Sequence, residues 1–265
     1  MGKVIAIANQ KGGVGKTTTC SSLGIGLARE GKKVLLIDAN PQGDLTASLG
    51  YAEPDNINET VATVMQHIIN EVDMDGSFAI LKHEEGVDLL PSNIELSVME
   101  ISLVNVMSRE LVLKQYIEQM KEQYDYILID CMPSLGMVTI NVLACSDSVI
   151  IPVQAAYLPV KGLQQLIRTI GRVKRQLNPQ LEIEGIVITM LDGRTVNARE
   201  ITGLLQTHYG EKVRIFDNRI PASVRAAETP AKGISIYKYD PHGTVRMAYE
   251  GLTKEVLQNE RMYGK

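Results

Sequence analysis

With 265 residues, 45% of them hydrophobic and 22% charged, the chain has the balance of a folded globular protein and the length to bury a sizeable aliphatic core. It has no apolar run of the roughly 18 residues that a membrane span needs and no charged leader ahead of an apolar stretch. Its three cysteines, Cys20, Cys131 and Cys145, form no CxxC pair, so a cytoplasmic protein with reduced, structural thiols is expected rather than a disulfide scaffold or an iron–sulfur carrier.

The net charge of −4 is unevenly spread: residues 51–110 hold 12 acidic and 2 basic residues, leaving 25 basic and 19 acidic on the other 205. Such asymmetry suits a face turned toward a polyanion, although a solvated surface with one acidic edge has the same count. In chain order, short β-branched runs alternate with longer amphipathic stretches. Strands are expected at 4–8, 34–38, 87–90, 126–130, 148–153, 185–190 and 213–216. Helices are expected at 16–30, 59–70, 94–104, 110–123, 137–145, 161–177, 196–209 and 244–259. Residues 71–93, with Asp75-Gly76 and Glu85-Gly86 turns, read as a small hairpin excursion. The alternation predicts an α/β fold, a mostly parallel twisted sheet with helices on both faces, in one domain. The runs VIAIA, VLLI and YILI are apolar without alternation, as central strands buried on both sides should be.

The segment Lys11-Gly12-Gly13-Val14-Gly15-Lys16-Thr17-Thr18 joins the first strand to the first helix. The general phosphate-loop pattern requires a glycine where Gln10 stands, so this is a deviant form. Its physics survives. The glycines let successive backbone N–H groups turn toward phosphate oxygens, and the helix N-terminus adds a favourable dipole. Lys16 supplies charge for the β and γ phosphates, and the Thr17 hydroxyl suits a magnesium ion. Strand 34–37 ends in Asp38-Ala39-Asn40-Pro41-Gln42-Gly43-Asp44, and strand 126–129 ends in Asp130-Cys131-Met132-Pro133-Ser134-Leu135-Gly136. Ligands sit at the carboxyl ends of parallel strands, so Asp38 and Asn40 are expected to face the phosphates and Asp130 to reach magnesium.

KGGVGKTTT resembles the signature of the ParA/MinD family of deviant Walker A P-loop ATPases. The resemblance implies ATP and Mg²⁺ as cofactors, with Gly12 to Thr18 binding nucleotide. It also implies a homodimer closed by ATP, in which Lys11 crosses to the partner subunit's nucleotide. In similar chains the second carboxylate of a D-x-D-P-Q-G-N segment acts on the attacking water. Asn40 stands there, and an amide accepts no proton, so slow hydrolysis is expected. Met132 replaces a proline of the family's D-x-P-P-S-L-G segment but leaves Asp130 in place.

Segment 161–175 carries Lys161, Arg168, Arg172, Lys174 and Arg175 with no acid, and further basic residues follow it. No aromatic interleaving or base-reading motif accompanies them, so a phosphate-backbone footprint is the reading they allow. Residues 219–225 and 231–241 resemble the last third of chromosome and plasmid partition ATPases. The resemblance implies Met190 and Pro221 beside the adenine. It places Arg194, Arg219, Arg225 and Lys232 at non-specific double-stranded DNA, on the nucleoid, with a ParB-like centromere-binding or adaptor protein as partner. A membrane-bound MinD-like alternative needs a bulky amphipathic C-terminal helix, and residues 256–265 are short and polar. A cargo-positioning relative has the same sequence features as a partition protein.

Overall fold

The apolar runs form the middle of a seven-stranded sheet. The computed structural model describes residues 1–155, 160–193 and 195–263. The strands are β1 (Lys3–Ile7), β2 (Val34–Ala39), β3 (Leu81–Lys82), β4 (Val87–Leu90), β5 (Tyr126–Cys131), β6 (Ser148–Gln154) and β7 (Glu182–Thr189). Their spatial order is β3-β4-β2-β5-β1-β6-β7, and every neighbouring pair is parallel except β3 with β4. The helices are α1 (Lys16–Arg29), α2 (Asp44–Ser48), α3 (Val61–Ile69), α4 (Leu96–Ser102), α5 (Val112–Met120), α6 (Met137–Cys145), α7 (Val160–Gln176), α8 (Val196–Tyr209), α9 (Val224–Lys232), α10 (Ile236–Tyr239) and α11 (Thr244–Tyr263).

Successive side chains of a strand point to opposite faces, and two separate cores result. Val4, Ala6, Leu35, Ile37, Ile127 and Ile129 pack on one face against α3, α5, α6 and α7 through Val64, Tyr116, Val142 and Leu166. Ile5, Ile7, Val34, Leu36 and Leu128 pack on the other against α1 and α11 through Leu23, Leu27, Tyr249 and Leu252. The three cysteines are free and buried.

Two expectations need correction. Residues 213–216 do not form a strand; Ile215 makes one bridge to Ile186. Ile186 exchanges bonds with Arg214 and Phe216, but the Glu255 carboxylate then takes the backbone N–H groups of Asp217 (3.0 Å) and Asn218 (2.7 Å), which interrupts the ladder. In the excursion at 71–93, the Glu85-Gly86 turn closes the β3–β4 hairpin with Gly86 at φ 83°. Asp75-Gly76 belongs instead to a separate turn, in which the Asp75 carboxylate accepts from the Ser77 N–H at 2.7 Å. Helices α2, α9 and α10 were not anticipated. They have 5, 9 and 4 residues, and Pro230 interrupts the pattern of α9.

Gly26 allows α1 to lie directly on α10 and α11. A Cβ there would stand 2.7 Å from the Tyr237 hydroxyl and would also overlap the Thr253 hydroxyl. Gly26→Val is expected to lower stability by about 2 kcal/mol through overpacking, measured by urea denaturation.

Candidate functional site

The loop between β1 and α1 takes its shape from glycine. Gly13 (φ 69°) and Gly15 (φ 83°) occupy the left-handed region, which costs a residue without a Cβ almost nothing. Gly15 caps α1 with no side-chain hydrogen bond, and the first turn holds no acid, so the first amides of the helix remain available to an anion. Lys16 is almost fully buried, and its ammonium donates to the Lys11 carbonyl at 3.2 Å. Burial lowers the Lys16 pKa, and the charge of Asp130 opposes that shift.

Beneath this loop lie two carboxylates. The β2–β5 register sets Asp38 directly beside Asp130. Asp38 accepts from the Thr46 N–H (2.9 Å), the Thr46 hydroxyl (2.8 Å) and the Asn40 N–H (3.1 Å), yet burial still pushes its pKa up to about 6. Asp130 accepts from the Thr17 hydroxyl at 2.6 Å through Oδ2, while its buried Oδ1 has no partner. Burial and then the neighbouring Asp38 push its pKa up to about 8. A cation is the natural complement to that unpaired oxygen. Among the described residues no group of three or more His, Cys, Asp or Glu could hold a metal alone. A hard divalent ion at Thr17 and Asp130 would therefore complete its shell with phosphate and water oxygens, which is the habit of magnesium.

The loop opens on a cavity of about 830 Å³. Its polar wall is Gly12, Gly13, Gly15, Lys16, Thr17 and Thr18, with Asn40, Gln42 and Asp44 alongside. Its apolar end is Met190, Ile220, Pro221, Val224 and Tyr249. A polar, amide-rich end joined to an apolar end suits a ligand that carries phosphates at one end and a flat ring at the other.

The AAA domain family model AAA_31 matches residues 2–183. The sporulation initiation inhibitor protein Soj of Bacillus subtilis is 44% identical over 259 residues, 98% of this chain and 100% of that protein. The chromosome partitioning protein ParA of Caulobacter vibrioides is 40% identical over 261 residues, 98% of this chain and 95% of that protein. This chain belongs to the ParA/Soj family of partition ATPases. A solved structure of a cobyrinic acid a,c-diamide synthase from Mycobacterium smegmatis, with bound ADP and magnesium, superimposes with a TM-score of 0.86 at 34% identity, covering 100% of this chain and 97% of that one.

Against that family background, the residues singled out from the sequence fall in different places. Gly12, Gly13, Gly15, Lys16, Thr17, Thr18, Asn40, Met190 and Pro221 line the cavity. Val14, Asp38 and Asp130 do not. The Val14 side chain is buried, its carbonyl accepts from the Thr189 hydroxyl at 2.8 Å, and both aspartates are buried, Asp130 directly against the cavity-lining Thr17. Lys11 holds its place through backbone bonds, its N–H to Asn9 Oδ1 and its carbonyl to Lys16. Arg219, Arg225 and Lys232 are exposed outside the cavity. Arg225 pairs with Asp240 at 2.7 Å, and the Lys232 ammonium stands 5.1 Å from the Tyr239 ring centre. Arg194 lies outside the described residues. Sequence reasoning missed Gln42, Asp44, Val224 and Tyr249 as lining residues. Gln42 and Asp44 could have been found, since they continue the strand-end segment that holds Asn40, whereas nothing local marks Val224 or Tyr249.

The crowding of Asp38 and Asp130 opposes folding in the absence of ligand. Asp130→Asn is expected to raise the melting temperature of the nucleotide-free protein by roughly 2–4 °C, the scale of about 1 kcal/mol in a domain of this size, measured by calorimetry.

Proposed function

We propose that the chain is an ATP-driven partition switch. ATP and magnesium occupy the cavity, two subunits close on two nucleotides, and the closed homodimer holds double-stranded DNA without sequence preference. A partner protein of the centromere-binding or adaptor class then triggers hydrolysis and release. The observation that carries this reading is the Thr17–Asp130 pair beneath the glycine loop, with one buried carboxylate oxygen left unpaired. Magnesium bound there would offset the buried negative charge and shield the phosphates. Thr17 and Asp130 would hold it, Lys16 would neutralise the β and γ phosphates, and Met190 and Pro221 would flank the base.

Each subunit contributes a basic surface, and joining two weak surfaces on one rigid dimer multiplies affinity, so DNA binding becomes nucleotide-gated. Arg219, Arg225 and Lys232 are exposed, as are Arg168, Arg172 and Arg175 along α7, which supports a backbone footprint. The Arg225–Asp240 pair is solvent-exposed and worth little, so it does not withhold that arginine. Lys11 acts across the dimer seam in this scheme. Asn40 accepts no proton, so hydrolysis is slow and the DNA-bound dimer persists.

Membrane association is disfavoured. Val245, Tyr249, Leu252 and Val256 of α11 pack into the core, which leaves no apolar stripe of those residues for lipid. Among the described residues no helix is long and apolar enough to cross a membrane. The partition role is preferred over the small-molecule synthase chemistry of the structural neighbour because the partition relatives are closer in sequence, at 40–44% against 34% identity.

DNA retention with ATP, with ADP and without nucleotide tests the switch: retention is expected with ATP alone, and equal retention in all three states refutes it. Lys16→Ala is expected to abolish ATP binding in calorimetry. Arg225→Glu is expected to cut DNA affinity by roughly tenfold at physiological salt while ATP-dependent dimerisation, followed by light scattering, is unchanged. Asn40→Asp is expected to raise phosphate release and shorten residence on DNA.

A further inference from the structure

Three aspartates surround the phosphate end of the cavity, and they differ in what they can reach. Asp38 and Asp130 are 0% and 1% exposed and lie behind the loop. Asp44 is exposed and lines the cavity together with Lys16, Thr17, Asn40 and Gln42. It is the one carboxylate among the described lining residues.

Each other polar group near this wall is already engaged or chemically unsuited to accept a proton. Asp38 takes three hydrogen bonds, from Thr46 and Asn40. Asp130 takes the Thr17 hydroxyl, is not among the residues that line the cavity, and is the residue that would hold magnesium. Lys16 has no acceptor, and an amide such as that of Asn40 or Gln42 does not take up a proton near neutral pH. Asp44 is held from one side: Asn40 Nδ2 donates to its Oδ2 at 2.8 Å, while the Gln42 N–H donates to Asn40 Oδ1 at 3.2 Å and fixes the amide's orientation. No ion pair engages Asp44 among the described residues. The carboxylate is thus open to the cavity and steered by a locked amide, the placement a general base requires.

We infer that Asp44 accepts the proton of the attacking water in ATP hydrolysis, with Asn40 as the positioning residue that orients it. This rests on the reading of the chain as an ATPase. In the step, the water oxygen bonds to the terminal phosphorus as the bond from that phosphorus to the ADP oxygen breaks. The water proton passes to the Asp44 carboxylate and from there to bulk water, and ADP and phosphate leave. The chain therefore keeps a carboxylate at this wall of the site although residue 40 is an amide.

The competing role for Asp44 is structural. It opens the short helix α2 after Gly43, where a negative charge favours the helix dipole. The two roles separate in an experiment on the full chain with magnesium and ATP. Phosphate release is followed across the acid and neutral range, binding of a non-hydrolysable ATP analogue by calorimetry, and thermal stability by scanning. The variants are Asp44→Asn and the exchange Asn40→Asp/Asp44→Asn.

Asp44→Asn is expected to bind the analogue like the parent, to lose on the order of 100-fold in kcat, the scale of general-base catalysis, and to lose the acid limb of the pH–rate profile. The exchange variant returns a carboxylate to the other end of the same hydrogen bond and is expected to recover at least the parental rate. A parental kcat and pH profile in Asp44→Asn overturns the inference while leaving the ATPase reading intact. Loss of rate together with analogue binding and thermal stability assigns Asp44 to the structural role and also overturns it. A parent that binds the analogue but releases no phosphate overturns the inference and leaves the nucleotide switch standing. A parent that binds no analogue overturns both.

Discussion

Two carboxylates side by side at the carboxyl edge of a parallel sheet are the constraint around which this molecule is arranged. Asp38 and Asp130 are adjacent because β2 and β5 pair in that register, and they are buried because helices cover both faces of the sheet. Burial of like charges is unfavourable, and the surrounding residues answer it unequally. Asp38 is compensated by Thr46 and the Asn40 amide, whereas Asp130 has only the Thr17 hydroxyl and the field of the nearby Lys16. The compensation stops one oxygen short. In the proposed function the magnesium ion would supply that last partner, and binding would relieve part of this electrostatic cost.

The glycine loop addresses the opposite charge problem. Its left-handed glycines and uncapped helix start offer backbone donors to an anion, and Lys16 lies almost buried behind them. Anion-seeking amides and a cation-seeking carboxylate meet at Thr17, which belongs to the loop and also bonds Asp130. A magnesium–triphosphate complex is neutralised at both ends by that arrangement, while either half alone leaves one end uncompensated.

The third part of the cavity comes from far along the chain. The Leu191 N–H donates to the Ile220 carbonyl and the Leu191 carbonyl accepts from the Ala222 N–H, which pins the segment that carries Ile220 and Pro221, and Glu255 of α11 fixes the approach by binding Asp217 and Asn218. The apolar wall of the cavity is thus anchored to the C-terminal helix, whose own apolar side lies in the core. Because α11 packs against α1, which starts at the glycine loop, the polar end and the apolar end of the cavity are joined through one helix pair.

Much of this was legible from residue order. Central strands announce themselves as unbroken apolar runs because both their faces are covered, and the phosphate loop is legible because backbone geometry demands glycine at particular positions. The family resemblance at residues 11–18 rested on the same local chemistry and held. Short helices such as α2 and α10 were not legible, since a turn or two of helix shows no periodicity, and the interrupted pairing at 213–216 depended on a carboxylate some forty residues away. Order along the chain placed Asp38, Asn40 and Asp44 in one segment without ranking them. Which of them is sealed in the core and which opens on the cavity was decided by tertiary structure alone, because burial is a property of everything packed around a side chain and not of its neighbours in sequence.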